Sequence, residues 1–280
     1  MKISCLRSDL ATAISNVSRA VSTKASIPAL EGVLIKAYGN TLNISGYNLK
    51  IGITTDIEAT IKEEGEIVVS AKLFLDIVRR LPEEIVFIET DERMVTYIAC
   101  GKVNYQIVGM SSVEYPDLPS FEQTDRITLN AKILRDMIRQ TVYAVSENTA
   151  KPIYTGSLYE IEDGVFKIIA IDGYRMAIRS ENVDSESKNR FVVPGKTQHE
   201  VLKLLTDDEE NTEIIIGQRH ITFKIKNYRI ISRLIEGTFI EYKSAIPKET
   251  KTEVVINTRT IIDAVERMSL LNNDRIQSPV

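Results

Sequence analysis

A chain of 280 residues that repeats itself every 124 cannot be one undivided core. Arg19–Pro28 (RAVSTKASIP) aligns with Tyr143–Pro152 (YAVSENTAKP), 124 residues on, and Val68–Leu81 (VVSAKLFLDIVRRL) aligns with Val192–Leu205 (VVPGKTQHEVLKLL) at the same offset. Two separated blocks that keep one offset indicate duplication of a whole folding unit. Ile44–Ile51 (ISGYNLKI) also matches Ile171–Ile178 (IDGYRMAI) through a shared Gly-Tyr, with the offset slipping to 127. A third copy opens in Asn257–Asn273 (NTRTIIDAVERMSLLNN), placing Arg267 a further 124 beyond Tyr143. The expected organisation is a module over residues 1–125, a second over 126–250, and the start of a third over 251–280, incomplete at Val280.

Both complete modules follow one plan. Leu10, Ile14, Val17 and Val21 fall at helical spacing, with Ser8 or Asp9 placed to cap the helix. Alternating apolar segments follow, punctuated by Gly39-Asn40 and Ser45-Gly46, which read as hairpin turns. Ser70 is expected to cap a second helix that Pro82 stops. Three short strands close the module. Two helices on antiparallel sheet, repeated in tandem, make an α+β fold.

Composition narrows the function classes. No apolar run approaches the roughly 18 residues that span a bilayer, and Met1–Leu10 carries no secretion signal, so a cytoplasmic location is expected. Cys5 and Cys100 stand far apart without a CxxC, and the chain has 2 histidines, so neither a metal site nor any cofactor is expected. The net charge of −4 argues against a surface that coats nucleic acid everywhere, but not against one basic face. Lys132, Arg135 and Arg139 share a helical face; Lys196, His199 and Lys203 repeat the spacing. Arg7 and Arg19, then Lys72, Arg79 and Arg80, supply the first module, and Arg259 and Arg267 the third. Modules packed in series would align these faces into a band. There is no Trp, and Tyr143 is the only aromatic on the polar faces, so stacking on single-stranded bases is not indicated. Sequence-blind contact with duplex phosphates fits better, weakened by Asp76, Asp136, Glu200 and Asp263 among the cations.

The run Ile171–Met176 (IDGYRM) gathers an acid, a phenol and a guanidinium. Asp-Gly reads first as a two-residue hairpin turn. The chain has no GxSxG, no P-loop and no HExxH, and Glu63-Glu64, Asp207-Asp208 and Glu209-Glu210 read as solvated loop charge. A turn beside a binding pocket is the reading; an enzyme built on Asp172 and Arg175, or a structural repeat that never meets DNA, are the alternatives.

Four stretches in this order, Ala20–Ile35 (AVSTKASIPALEGVLI), Glu114–Pro119 (EYPDLP), Ile171–Ala177 (IDGYRMA) and Leu234–Pro247 (LIEGTFIEYKSAIP), resemble the β subunit of bacterial DNA polymerase III, the sliding-clamp family. The resemblance implies three such domains per subunit, closed head-to-tail as a homodimer around duplex DNA, with no catalysis of its own. It implies as partners the polymerase α subunit, the clamp loader and other proteins bearing a clamp-binding motif, and no membrane. Carried over by position, Lys24 is a DNA-contacting residue, and Asn148–Lys151 is the counterpart loop. A peptide-binding pocket falls on Tyr154, Ile171, Gly173, Tyr174, Arg175, Met176, Ile240, Ser244 and Ala245. Ile171, Ile240, Ser244 and Ala245 depart from the commonest family pattern. Tyr105 and Ile107 match one side of the dimer contact, and Leu270 and Leu271 the other. Without a whole third module, a monomer or a weak dimer is expected.

Overall fold

The computed structural model describes residues 1–120, 125–205 and 210–270. The first repeat runs β1 (Lys2–Leu6), α1 (Arg7–Val17), β2 (Gly32–Tyr38), β3 (Thr41–Tyr47), β4 (Ile51–Glu58), β5 (Thr60–Glu63), β6 (Gly65–Ser70), α2 (Ala71–Arg80), β7 (Ile85–Thr90), β8 (Val95–Cys100) and β9 (Val103–Val108). The second runs β10 (Asp125–Asn130), α3 (Ala131–Arg139), β11 (Gly156–Glu162), β12 (Val165–Ile171), β13 (Met176–Asn182), β14 (Asn189–Pro194), α4 (Gly195–Leu204), β15 (Asn211–Ile216), β16 (His220–Ile225) and β17 (Tyr228–Arg233). Helices packed on antiparallel sheets give the α+β architecture that the sequence implied.

The sheets join the repeats. One five-stranded sheet has the order β5-β1-β7-β8-β9, and one four-stranded sheet the order β13-β12-β11-β14. The third has eight strands, β10-β15-β16-β17-β4-β3-β2-β6, and crosses from one repeat to the other. Its seam is the antiparallel pairing of β17 with β4, which sets Ile230 opposite Ile53. Leu10, Ile14, Val17, Phe74 and Val78 of the first repeat and Leu134, Ile138 and Val201 of the second are buried in one apolar cluster. Each such side chain stabilises the fold by roughly 1.5–3 kcal/mol. These residues come from the inner helix faces, which is why the outer faces can be charged.

Several local expectations need correction. Helix α1 starts at Arg7 with Leu6 at its cap position and no side-chain cap. Its first amide is satisfied by the chain instead: Arg7 N–H donates to the Glu84 carbonyl at 3.2 Å, while the Ser8 hydroxyl donates to Asp9. Ser70 holds the cap position of α2 but makes no capping bond. Gly39-Asn40 is a turn, closed by the Tyr38–Thr41 pair, but Ser45-Gly46 is not. Gly46 lies inside β3 opposite Ile53, so close to α1 that a Cβ there would stand 2.4 Å from the Val17 carbonyl oxygen.

The real turns remove the slip in the repeat. In the first, Asn48 Oδ1 accepts from the amides of Lys50 (3.1 Å) and Ile51 (2.9 Å), and Leu49 takes φ 67°. In the second, Asp172 Oδ1 accepts from the amides of Tyr174 (2.9 Å) and Arg175 (3.1 Å), and Gly173 takes φ 99°. Asn48 and Asp172 stand 124 apart, so the offset holds and the shared Gly-Tyr is coincidental. The loop is also four residues long, since Ile171 pairs with Met176. The two-residue Asp-Gly turn of this sheet is Asp163-Gly164, with φ 53° and 73°.

The chain divides into two compact units, Met1–Phe239 and a second beginning at Ile240. The second contains α5 (Thr258–Ser269), where Asn257 accepts from Thr260 N–H at 3.2 Å. In α3 the cap is Asn130, which accepts from Lys132 N–H at 2.9 Å. The two caps are 127 residues apart, so Arg267 corresponds to Gln140 and not to Tyr143.

Candidate nucleic-acid interface and peptide pocket

The four helices of the first unit are neighbours in one row. Helix α2 packs on α1, and α3 on α4. The middle link is an ion pair, Arg19 Nε to Glu200 Oε2 at 2.8 Å, from the turn after α1 to α4. The row is therefore α2–α1–α4–α3. Lys72, Arg79 and Arg80 on α2, Lys132 and Arg139 on α3, and Lys196, His199 and Lys203 on α4 are exposed, with Arg135 half-buried. Lys72, Lys132 and Lys196 have no ion-pair partner among the described residues. Arg139 lies 3.9 Å from Asp136 and Lys203 2.7 Å from Glu200, which tempers both charges. Arg79 donates to Ser15 Oγ at 2.9 Å, and Arg80 to the Asp76 carbonyl at 3.2 Å. Lys24, Asn148 and Lys151 are exposed on loops.

Two cations of the sequence-derived set serve the fold. Arg7 donates to the Val78 carbonyl at 3.1 Å and the Arg79 carbonyl at 2.7 Å, satisfying the carboxyl end of α2, and pairs with Glu83. Arg19 is turned into the junction between the repeats by Glu200 and donates to Asn16 Oδ1 at 2.8 Å. Charge pattern alone does not distinguish a cation facing solvent from one turned onto carbonyls.

The Asp172 turn is a fixed object. Arg175 Nε donates to Asp172 Oδ2 at 2.8 Å, and its outer nitrogen to the Tyr143 carbonyl at 2.9 Å. Its guanidinium stands 5.5 Å from the Tyr143 ring centroid. Burial would raise the Asp172 carboxyl, but the amides of Tyr174 and Arg175 and the Arg175 side chain outweigh it and hold it below the ordinary value. An acid already committed to three bonds orders a turn; it is not a free base. Tyr174 is fully exposed, while Ile171 and Met176 are half-buried at the strand ends. Tyr154 meets Phe239 edge-on, ring centroids 5.7 Å apart. Phe239 and the Tyr143 carbonyl were not among the sequence candidates. Phe239 was recoverable, since it lies 124 residues after Tyr115, the aromatic of the other linker. In the second unit Ile240 is exposed, and Ser244 Oγ donates to the Glu241 carbonyl at 2.8 Å with Ala245 beside it.

The sequence profile of the DNA polymerase III beta subunit, N-terminal domain, matches residues 1–119, and that of its central domain matches residues 128–241. The beta sliding clamp of Halalkalibacterium halodurans is 37% identical over 273 residues, 93% of this chain and 72% of that protein. That of Bacillus subtilis is 34% identical, over 97% of this chain and 74% of its own length. The chain belongs to the DNA polymerase III beta subunit family, the bacterial sliding clamps. The crystal structure of the Bacillus subtilis sliding clamp superposes with a TM-score of 0.94 at 33% identity, covering 98% of this chain and 75% of that one. The beta subunit of Streptococcus pyogenes gives 0.93 at 28% identity over 99% and 76%.

For this family member the strand edges matter. β9 and β13 end their sheets with no further strand among the described residues. On β9, Tyr105 faces the core side at the open edge and remains 39% exposed, whereas Ile107 on the same face is closed into the core at 6%. Leu270 is exposed just after α5. Leu271, like Asp207, Asp208 and Glu209, lies outside the described residues.

Proposed function

We propose that the chain acts as a DNA sliding clamp, a non-catalytic, cytoplasmic processivity factor that encircles duplex DNA as a ring-shaped homodimer and tethers polymerase III and other proteins. The observation that carries this is the helix row α2–α1–α4–α3 with unpaired Lys72, Lys132 and Lys196 along it. Cations without fixed partners contact phosphates without reading bases, as a sliding contact requires. Lys24, Asn148 and Lys151 extend the row at its loops, Arg79, Arg80, Arg135, Arg139 and Lys203 support it, and Arg7 and Arg19 are left out of it.

The repeats are two clamp domains, 1–125 and 126–250, and α5 opens a third. The β17–β4 seam supplies the rule for closure: a β9-type edge pairs with a β4-type edge. By the repeat, β13 awaits the third domain and β9 the third domain of a second copy. Tyr105 and Leu270 then belong to that contact, and Ile107 supports it from the core. The pocket around Tyr154, Phe239, Met176 and the rigid Asp172 turn takes the apolar side chains of partner peptides from the polymerase α subunit and the clamp loader. Ile240, Ser244 and Ala245 lie on the linker that leads out of it.

Retention on circular DNA tests the reading. The chain, extended through a complete third domain, is loaded on a nicked circular duplex and sedimented before and after the circle is cut. Release on cutting is expected of a ring. Equal retention on cut and uncut DNA, or no binding at any salt concentration, would overturn it.

A further inference from the structure

The outer face of the five-stranded sheet is apolar where no described residue covers it. Strand pairing sets Leu6 opposite Ile85, Phe87 opposite Ala99 and Glu89 opposite Tyr97, all on the face away from the core. Leu6 is 55%, Ile85 50%, Phe87 52% and Tyr97 44% exposed. The second repeat is an internal control, because β10-β15-β16 has the same topology as β1-β7-β8. There the positions of Leu6 and Ile85 are Asn130 and Asn211, and those of Phe87 and Ala99 are Glu213 and Lys224. Glu213 is tied to Arg126 at 2.5 Å and to Lys224 at 2.6 Å. The fold is content with a charged ladder on this face, so the apolar version is not a requirement of packing.

The patch contains a cavity of about 500 Å³ lined by Ile85, Phe87, Ala99, Cys100, Gly101 and Glu84. Glu84 has no ion-pair partner among the described residues, and Gly101 makes room for it: a Cβ there would stand 2.7 Å from the carboxylate. The neighbouring Lys102 is exposed and does not pair with it. At the far end Lys2 is shared between Glu63 (3.1 Å) and Glu89 (3.3 Å), leaving one negative charge over. Acid thus stands at both ends of β7, about 17 Å apart along an extended strand, with apolar surface between.

We propose that this face docks a short linear segment of another protein, apolar at its centre and carrying Lys or Arg on both flanks. Charge complementarity selects the flanks. Size selects a short segment over a second copy: the exposed apolar area is on the order of a few hundred Å², against roughly 800 Å² per partner in a stable protein–protein interface. The site is separate from the Tyr154 pocket and does not depend on the clamp reading.

A displayed library of random short peptides, panned on the whole chain and counter-panned on Phe87→Ser, tests this. Enrichment of basic–apolar–basic peptides is expected, their affinity in fluorescence anisotropy falling about tenfold with Phe87→Ser and several-fold with Glu84→Lys. Circular dichroism melts of both variants establish that they fold, as exposed positions should allow. No enrichment over Phe87→Ser, or enriched peptides indifferent to Glu84→Lys, would overturn the proposal. So would sedimentation velocity in which the wild type self-associates through this face and Phe87→Ser does not.

Discussion

Asp172 illustrates how much one residue can be asked to do. Its Oδ1 closes the turn on two amides, as Asn48 does in the first repeat, and its Oδ2 alone meets Arg175. Asp172→Asn should therefore keep the turn and lose the ion pair, whereas Asp172→Ala should cost about 1 kcal/mol or more of stability, the scale of lost hydrogen bonds to a fixed acceptor. The sign of the pH effect follows from the depressed carboxyl. Its contribution is complete above the ordinary carboxylate value and is lost as pH falls through the lower folded value. Thermal melts of wild type and Asp172→Asn should differ at neutral pH and converge in acid; a constant difference would show that charge is not what separates them. The sequence announced this residue but attached it to the wrong motif, since Gly-Tyr is eye-catching and an acceptor two residues before a pair of amides is not.

Between elements, the junction of the two repeats combines legible and illegible parts. The helices and most strands could be read from periodicity, because inner positions such as Leu134 and Ile138 are buried on one side. The β17–β4 seam could not, since it joins residues 173 to 181 positions apart and nothing local encodes it. Nor could the apolar patch: in β7, Val86 and Ile88 face the core while Ile85 and Phe87 face out, and alternation disappears when both faces are apolar. Across the seam, Asn16 donates to the Tyr228 hydroxyl at 2.8 Å, and Arg19 pairs with Glu200. The Arg19 and Glu200 side chains are only 24% and 16% exposed, and Glu200 retains Lys203 if Arg19 is lost. Arg19→Ala should then cost about 2 kcal/mol, between the values for exposed and fully buried pairs. Urea denaturation of Arg19→Ala, Glu200→Ala and the double variant should show coupling. Strict additivity would mean that the strands alone hold the repeats together.

Across the whole molecule, a net charge of −4 has to be reconciled with a surface proposed to face phosphates. The reconciliation is spatial: unpaired lysines lie along the helix row, while other cations are spent on ion pairs such as Arg126–Glu213 and Lys2–Glu89. On the proposed reading, long-range repulsion would keep the chain from gripping DNA tightly, and short-range contact would be made only where the row meets the duplex. This separates two kinds of basic residue experimentally. Each of Lys72→Ala, Lys132→Ala and Lys196→Ala should lower the slope of log affinity against log salt by about 0.9, the value for one phosphate contact on duplex DNA, and leave the melting temperature nearly unchanged. Arg7→Ala should do the reverse, because its guanidinium is committed to the Val78 and Arg79 carbonyls. Anisotropy titrations on one labelled duplex across a salt series, beside melts of the same four proteins, read both quantities. If the Arg7 variant flattens the slope while the lysine variants do not, the phosphates lie elsewhere, and the helix row is not the surface that meets DNA.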